Sequence, residues 1–105
     1  MAYKWPDKDK DEIVDYSVDW SRFLNTDTIS AVTWYITDAD GTKVEVDDAD
    51  TVDGLQFVSS TITSTVSTIR LSLGTNNKRY TITCRITTAG GLQYERSVFL
   101  RVREK

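Results

Sequence analysis

Tyr80-Thr-Ile-Thr-Cys-Arg-Ile-Thr-Thr88, Ala89-Gly-Gly-Leu92 and Gln93-Tyr-Glu-Arg-Ser-Val-Phe-Leu-Arg-Val-Arg103 decide the fold. In the first segment Tyr80, Ile82, Cys84 and Ile86 alternate with Thr81, Thr83, Arg85 and Thr87. In the third, Tyr94, Val98, Leu100 and Val102 alternate with Glu95, Ser97, Arg101 and Arg103. Successive side chains of a strand point to opposite faces, so a period of two sends one set to a core and the other to solvent. Gly90-Gly91 supplies the positive φ of a tight hairpin. Residues 78–105 therefore read as an antiparallel hairpin that closes an all-β domain.

The same period recurs upstream. Val14, Tyr16, Val18 and Trp20 share one face of a strand over residues 12–21. Val32, Trp34 and Ile36 form the inward set of a strand over 29–37, with Tyr35 pointing out. Asp40-Gly41 marks a turn into a short strand at 43–46, and an acidic loop follows at 47–54. Leu55 and Phe57, then Ile62 and Val66, then Ile69, Leu71 and Leu73 carry the pattern to the final hairpin. The count is seven or eight short strands with turn signals roughly 8–12 residues apart, the spacing of an Ig-like antiparallel β-sandwich. Trp34 stands where such sandwiches place their core indole, and Tyr80 opens the penultimate strand as a tyrosine corner does. Tyr80 lies four residues before Cys84, the single cysteine, so no intramolecular disulfide is expected.

Length and composition agree with one domain. The 105 residues include 10 Val, 7 Ile and 15 Thr, β-branched types that favour strands. Residues 1–11 form a polar arm ahead of a sandwich domain at 12–105. The arm contains Trp5-Pro6, and an indole there either folds back over the core or anchors a neighbouring subunit. The arm lacks the apolar stretch of a signal peptide, and nothing approaches the roughly 20 apolar residues of a membrane span. Folding in a cytoplasm, away from membrane, is the expectation.

The net charge of −3 conceals a split. Residues 1–60 carry 14 acids and 5 bases, whereas residues 61–105 carry 2 acids and 8 bases. Either the charges simply fill solvent faces, or two unlike surfaces suit head-to-tail contact. The chain has no histidine, which removes His-based triads and Cys-His pairs. No phosphate-cradling glycine loop occurs, and no cofactor or enzymatic activity is expected. Asp38, Asp40, Asp47, Asp48 and Asp50 are weak calcium candidates, since hard oxygen ligands suit that ion. Their spacing does not match an EF-hand, and a hairpin turn explains Asp40-Gly41 without metal. A sequence pI of about 4.8 argues against a nucleic-acid partner despite the basic second half. Aromatic and arginine side chains are enriched at protein interfaces, which selects Trp5, Tyr35, Arg85, Phe99, Arg101 and Arg103 as candidate partner contacts.

Two stretches carry a family resemblance. Lys4-Trp-Pro-Asp-Lys-Asp-Lys-Asp-Glu-Ile-Val-Asp-Tyr-Ser-Val-Asp-Trp-Ser21 resembles the opening of small tailed-bacteriophage structural proteins of the fibre–tail adaptor or connector-like family. Thr83-Cys-Arg-Ile-Thr-Thr-Ala-Gly-Gly91 with Glu95-Arg-Ser-Val98 resembles their close. Residues 38–54 look longer than the family pattern, and Lys10 stands where the family is expected to have proline. The resemblance implies a non-enzymatic Ig-like adaptor in the tail or head–tail region of a phage or prophage. It implies phage head or tail proteins as partners and passage from bacterial cytoplasm to virion; an acidic surface meeting a basic one would suit head-to-tail contacts that close into a ring on the virion. The alternative class is a generic Ig-like binding module, such as a capsid-decorating or carbohydrate-adhering domain.

Overall fold

A computed structural model describes residues 3–47 and 49–104. Among these residues nine strands and one helical turn follow in order. They are β1 (Tyr3–Lys4), β2 (Val14–Asp19), α1 (Ser21–Leu24), β3 (Ile29–Thr37) and β4 (Lys43–Val46). β5 (Thr51–Val52), β6 (Leu55–Ile62), β7 (Val66–Leu73), β8 (Lys78–Thr88) and β9 (Gln93–Val102) complete the chain. Two sheets form, one in the order β1-β9-β8-β3-β4 and the other β2-β7-β6-β5. Among the described residues all strand pairings are antiparallel except β1 with β9, and Lys8 adds a parallel bridge to Val102. The β9-β8-β3 arrangement facing β2-β7-β6 is the immunoglobulin layout, with the final hairpin and an early tryptophan strand in one layer. Seven of the nine strands are four residues or longer; β1 and β5 are two-residue pieces.

The period-two pattern becomes the core. Tyr16, Val18 and Trp20 meet Trp34, Ile36, Ile82, Cys84, Val98 and Leu100 from the opposite sheet. β6 and β7 add Leu55, Phe57, Ile69 and Leu71. Leu73 departs from the pattern, since its backbone turns to φ 61° and leaves the side chain 52% exposed. A bulge between Phe57 and Ser59 likewise shifts the face of β6.

The closing hairpin shows what each glycine is for. Thr88 N–H donates to the Leu92 carbonyl at 2.8 Å, closing the turn. Only Gly91 has positive φ, at 88°. Gly90 is favoured by proximity: its N–H donates to Asp27 Oδ1 at 3.0 Å, and a Cβ there would lie 2.8 Å from Oδ2 of the same carboxylate. Tyr80 builds the corner at the opposite end. Its hydroxyl donates to the Asp53 carbonyl at 2.7 Å and accepts the Thr75 N–H at 2.9 Å. That bond ties the start of β8 to the loop five residues upstream, as a tyrosine corner does.

Residues 3–11 are integrated into the sandwich along β9. Trp5 N–H donates to the Phe99 carbonyl and Lys8 N–H to the Arg101 carbonyl, while Arg103 N–H donates back to Lys8. Trp5 is buried against Tyr16, and the Tyr16 hydroxyl donates to the Pro6 carbonyl at 3.0 Å. Lys8 is fully buried, with its ammonium donating to the carbonyls of Leu73 at 2.6 Å and Asp9 at 2.8 Å. Of the two arm readings, the structure shows the one that folds back.

Candidate protein interface

The outer face of the five-stranded sheet gathers most of the selected side chains. Register sets it up, because Arg85 stands opposite Glu95 on β9 and opposite Thr33 on β3. Tyr35 stands opposite Thr83, and Thr83 opposite Ser97. Arg85 grips Glu95 with two nitrogens, Nε at 3.1 Å and Nη2 at 2.8 Å, and its Nη1 donates to the Tyr35 hydroxyl at 3.2 Å. Lys43 on β4 reaches the other Glu95 oxygen at 3.1 Å. Both cations lie near the Tyr35 ring, Arg85 at 5.2 Å and Lys43 at 5.4 Å from its centroid. The Arg85 hydrogen bond, followed by that of Lys43, holds the Glu95 carboxyl below its ordinary range.

Beyond a central rung, where the Thr83 and Ser97 hydroxyls bond at 2.9 Å, the face turns aromatic again. Phe99 lies opposite Thr81, half-buried, with the Arg79 guanidinium 4.6 Å from its ring centre. Arg101 is exposed beside Arg79 on the neighbouring strand. Tyr35, Arg85, Phe99 and Arg101 thus share one face and span three strands.

The other two candidates fall elsewhere. Trp5 is only 8% exposed, and its indole N–H donates to the Ser17 carbonyl at 3.3 Å. The open side of the sandwich needs an apolar cover, and Trp5, stacked on Tyr16, supplies it. Arg103 follows β9 and pairs with Asp7 of the arm at 3.6 Å. Sequence reading passed over Lys43 and Glu95, although the signal was present. Counting outward from the Gly90-Gly91 turn puts Arg85 against Glu95, an opposite-charge cross-strand pair.

Two of the calcium candidates do turn chemistry. Asp38 accepts the N–H groups of Asp40 and Thr42 through one oxygen, each at 2.9 Å, and Asp50 accepts that of Asp47 at 2.9 Å. Short acidic side chains close such turns by bonding backbone amides nearby. Asp48 lies outside the described residues. Among the described residues no three metal-ligating side chains come together. Cys84 is buried beside Ser67, whose hydroxyl lies 3.2 Å from its sulfur; burial pushes the thiol pKa to about 12. The outer face of the other sheet carries Asp15 and Arg70, joined by two bonds of 2.7 and 3.1 Å, in a polar strip of Ser17 and Thr68.

A disulfide-free Ig-like sandwich with a flat face of cations, carboxylate and aromatic rings belongs to the class of binding and assembly modules. The family is specific: the chain belongs to the podophage GP4 fiber-tail adaptor protein gp77 family, whose model matches residues 8–101. Membership makes it a phage structural protein and implies contact with tail and fibre proteins in the virion. Among solved structures it is similar to the PKD domain from KIAA 1837 protein, with 22% identity and a TM-score of 0.49. That match covers 96% of this chain and 83% of the other. No curated protein matches.

Proposed function

We propose that the chain is a non-enzymatic adaptor in the tail or head–tail region of the virion. It folds in the bacterial cytoplasm, assembles into a ring, and binds a tail or fibre protein through the outer face of the five-stranded sheet. The observation that carries this reading is the placement of Tyr35, Arg85, Phe99 and Arg101 on one sheet face within a family of fibre–tail adaptors. The chemistry supports a non-catalytic role. The chain has no histidine, and its one thiol is buried with its pKa raised to about 12. Carboxylates such as Glu95 and Asp15 are held by cations. Arginine and lysine near the Tyr35 and Phe99 rings also favour a protein partner over a sugar, which needs an open ring face for stacking.

Binding of tail and fibre proteins from the same phage to immobilised adaptor tests the reading. Truncating an interface anchor costs about 2 kcal/mol or more, roughly 30-fold in affinity. Phe99→Ser and Arg101→Glu should each lose binding on that scale while the melting temperature stays nearly unchanged. A large fall in melting temperature for Phe99→Ser would reassign that ring to packing. Unchanged affinity in both variants would remove the face from the interface.

A further inference from the structure

The five-stranded sheet ends differently at its two margins. One margin is β4, paired on one side only, with β3. The other is β9, along which β1 pairs with just Val98 and Phe99. From Gln93 to Ser97, among the described residues, no strand lies along the side of β9 turned away from β8. The carbonyls of Phe99 and Arg101 accept bonds from Trp5 and Lys8, so odd-numbered residues of β9 turn their backbone groups away from β8. Gln93 and Glu95 therefore aim an N–H and a carbonyl each along the open lane. The lane spans five residues, and β4, at four residues, fits within it.

Direction and charge agree. β9, β8, β3 and β4 are joined by three antiparallel steps, so β4 runs opposite to β9. A second copy set alongside the first without turning over brings its β4 antiparallel to the open stretch of β9, the more stable of the two ladder types. The β4 edge has no proline and no bulge to repel such pairing. Residues 38–54, which include and flank β4, hold seven acids and one base. Near the open lane lies a cleft of about 380 Å³ whose lining includes Lys4, Arg22 and Arg96 against the carboxylate of Asp19. Trp5 and Phe23 give the cleft apolar wall, and Phe23 is 44% exposed.

We propose that β4 of one copy adds to the Gln93–Ser97 edge of the next, so that the five-stranded sheet continues from subunit to subunit. The acidic turn at Asp38 and Asp40, which precedes β4, then seats beside Lys4 and Arg22. The contact joins unlike patches, and such head-to-tail contacts close into rings when the rotation between copies permits. This inference rests on the ring-forming reading above and identifies the two edges that make the ring.

Sedimentation velocity on the full chain over a concentration series, paired with amide hydrogen exchange, tests it. The chain should associate as concentration rises, and exchange should slow at Lys43–Val46 and Gln93–Ser97. Lys4→Glu and Asp40→Lys, both at exposed positions, should each stay monomeric where the parent chain associates. An equal mixture of the two variants should associate again, because every junction then pairs opposite charges. A chain that stays monomeric throughout overturns both the ring and these edges. Association that protects other segments, or that ignores both substitutions, overturns the edge assignment and leaves the ring standing.

Discussion

The indole of Trp5 stacks on the ring of Tyr16, centroids 4.8 Å apart and planes 13° from parallel. The contact closes the open side of the sandwich, because Trp5 enters from the β9 edge and Tyr16 from β2 of the opposite sheet. Trp5 also meets Trp34 at 6.3 Å, so one side chain joins the arm to both layers. Trp5→Ala should therefore destabilise the domain by about 3–5 kcal/mol, as Trp-to-Ala changes in cores do. The urea midpoint measures it. A change below about 1 kcal/mol would mean that the arm is dispensable to the fold, since surface substitutions fall in that range.

The hairpin that ends the chain was legible because alternation and a Gly-Gly turn encode strand, face and register at short range. β3 and β4 were legible for the same reason, and their bounds match those read from the sequence. Three features were not, and each depends on contacts distant in sequence. Lys8 reads as one charge in an alternating run, yet carbonyls at Asp9 and Leu73 receive its ammonium inside the domain. Residues 12–21 read as one strand, but β2 stops at Asp19, where the Asp19 carboxylate accepts the Ser21 N–H and starts the turn of α1. Arg96 occupies an inward position of β9 between Tyr94 and Val98, which a hydrophobicity pattern cannot rationalise. Its guanidinium lies 4.7 Å from the Phe23 ring centre and 5.5 Å from that of Trp20. The proposed partner face was half legible: its aromatics and arginines could be named, whereas Trp5 was drawn inward by a gap visible only in three dimensions.

Tyr80→Phe isolates the corner. The hydroxyl accepts from Thr75 and donates to Asp53, so its removal strips a partner from one amide and one carbonyl. The ring stays buried and the volume hardly changes. The expected cost is about 1–2 kcal/mol, the range for breaking a hydrogen bond while leaving a partner unsatisfied. Equilibrium urea unfolding reads it, with an unchanged m-value indicating that only stability moved.

Cys84 provides a probe of opening. Burial raises its thiol pKa from 9.0 to about 12, so the folded protein holds it as an unreactive neutral thiol. An aromatic disulfide reagent at neutral pH should label it only at the rate at which the core opens, and at once in denaturant. Because the folded pKa is raised, the stabilisation linked to the neutral thiol is complete below pH 9 and is lost as pH climbs towards 12. Tyr16 adds the same sign between 10 and about 12, driven by burial and then by Glu12 and Asp7. Cys84→Ala should therefore flatten the start of the alkaline limb, before Tyr16 begins to titrate. Prompt labelling of the native protein would show that β8 opens far more readily than its packing implies.

Glu95 sets the acid limb. Its hydrogen bonds to Arg85 and Lys43 place its folded pKa below the ordinary 4.5, so the carboxylate form is favoured by folding. Its contribution is complete above pH 4.5 and is lost as pH falls through the lower folded value. Asp15, lowered from 3.8 by its bond to Arg70, follows the same sign at lower pH. Both pairs are solvent-exposed, which keeps the effect small and salt-sensitive. Glu95→Gln should flatten the fall of the urea midpoint just below pH 4.5, whereas Asp15→Asn should flatten it only further down. The same Glu95→Gln change should leave Arg85 free to swing away from Tyr35, so partner binding should weaken at neutral pH even where stability barely changes. A variant that binds as tightly as the parent would show that the Arg85–Glu95 pair serves the sheet alone.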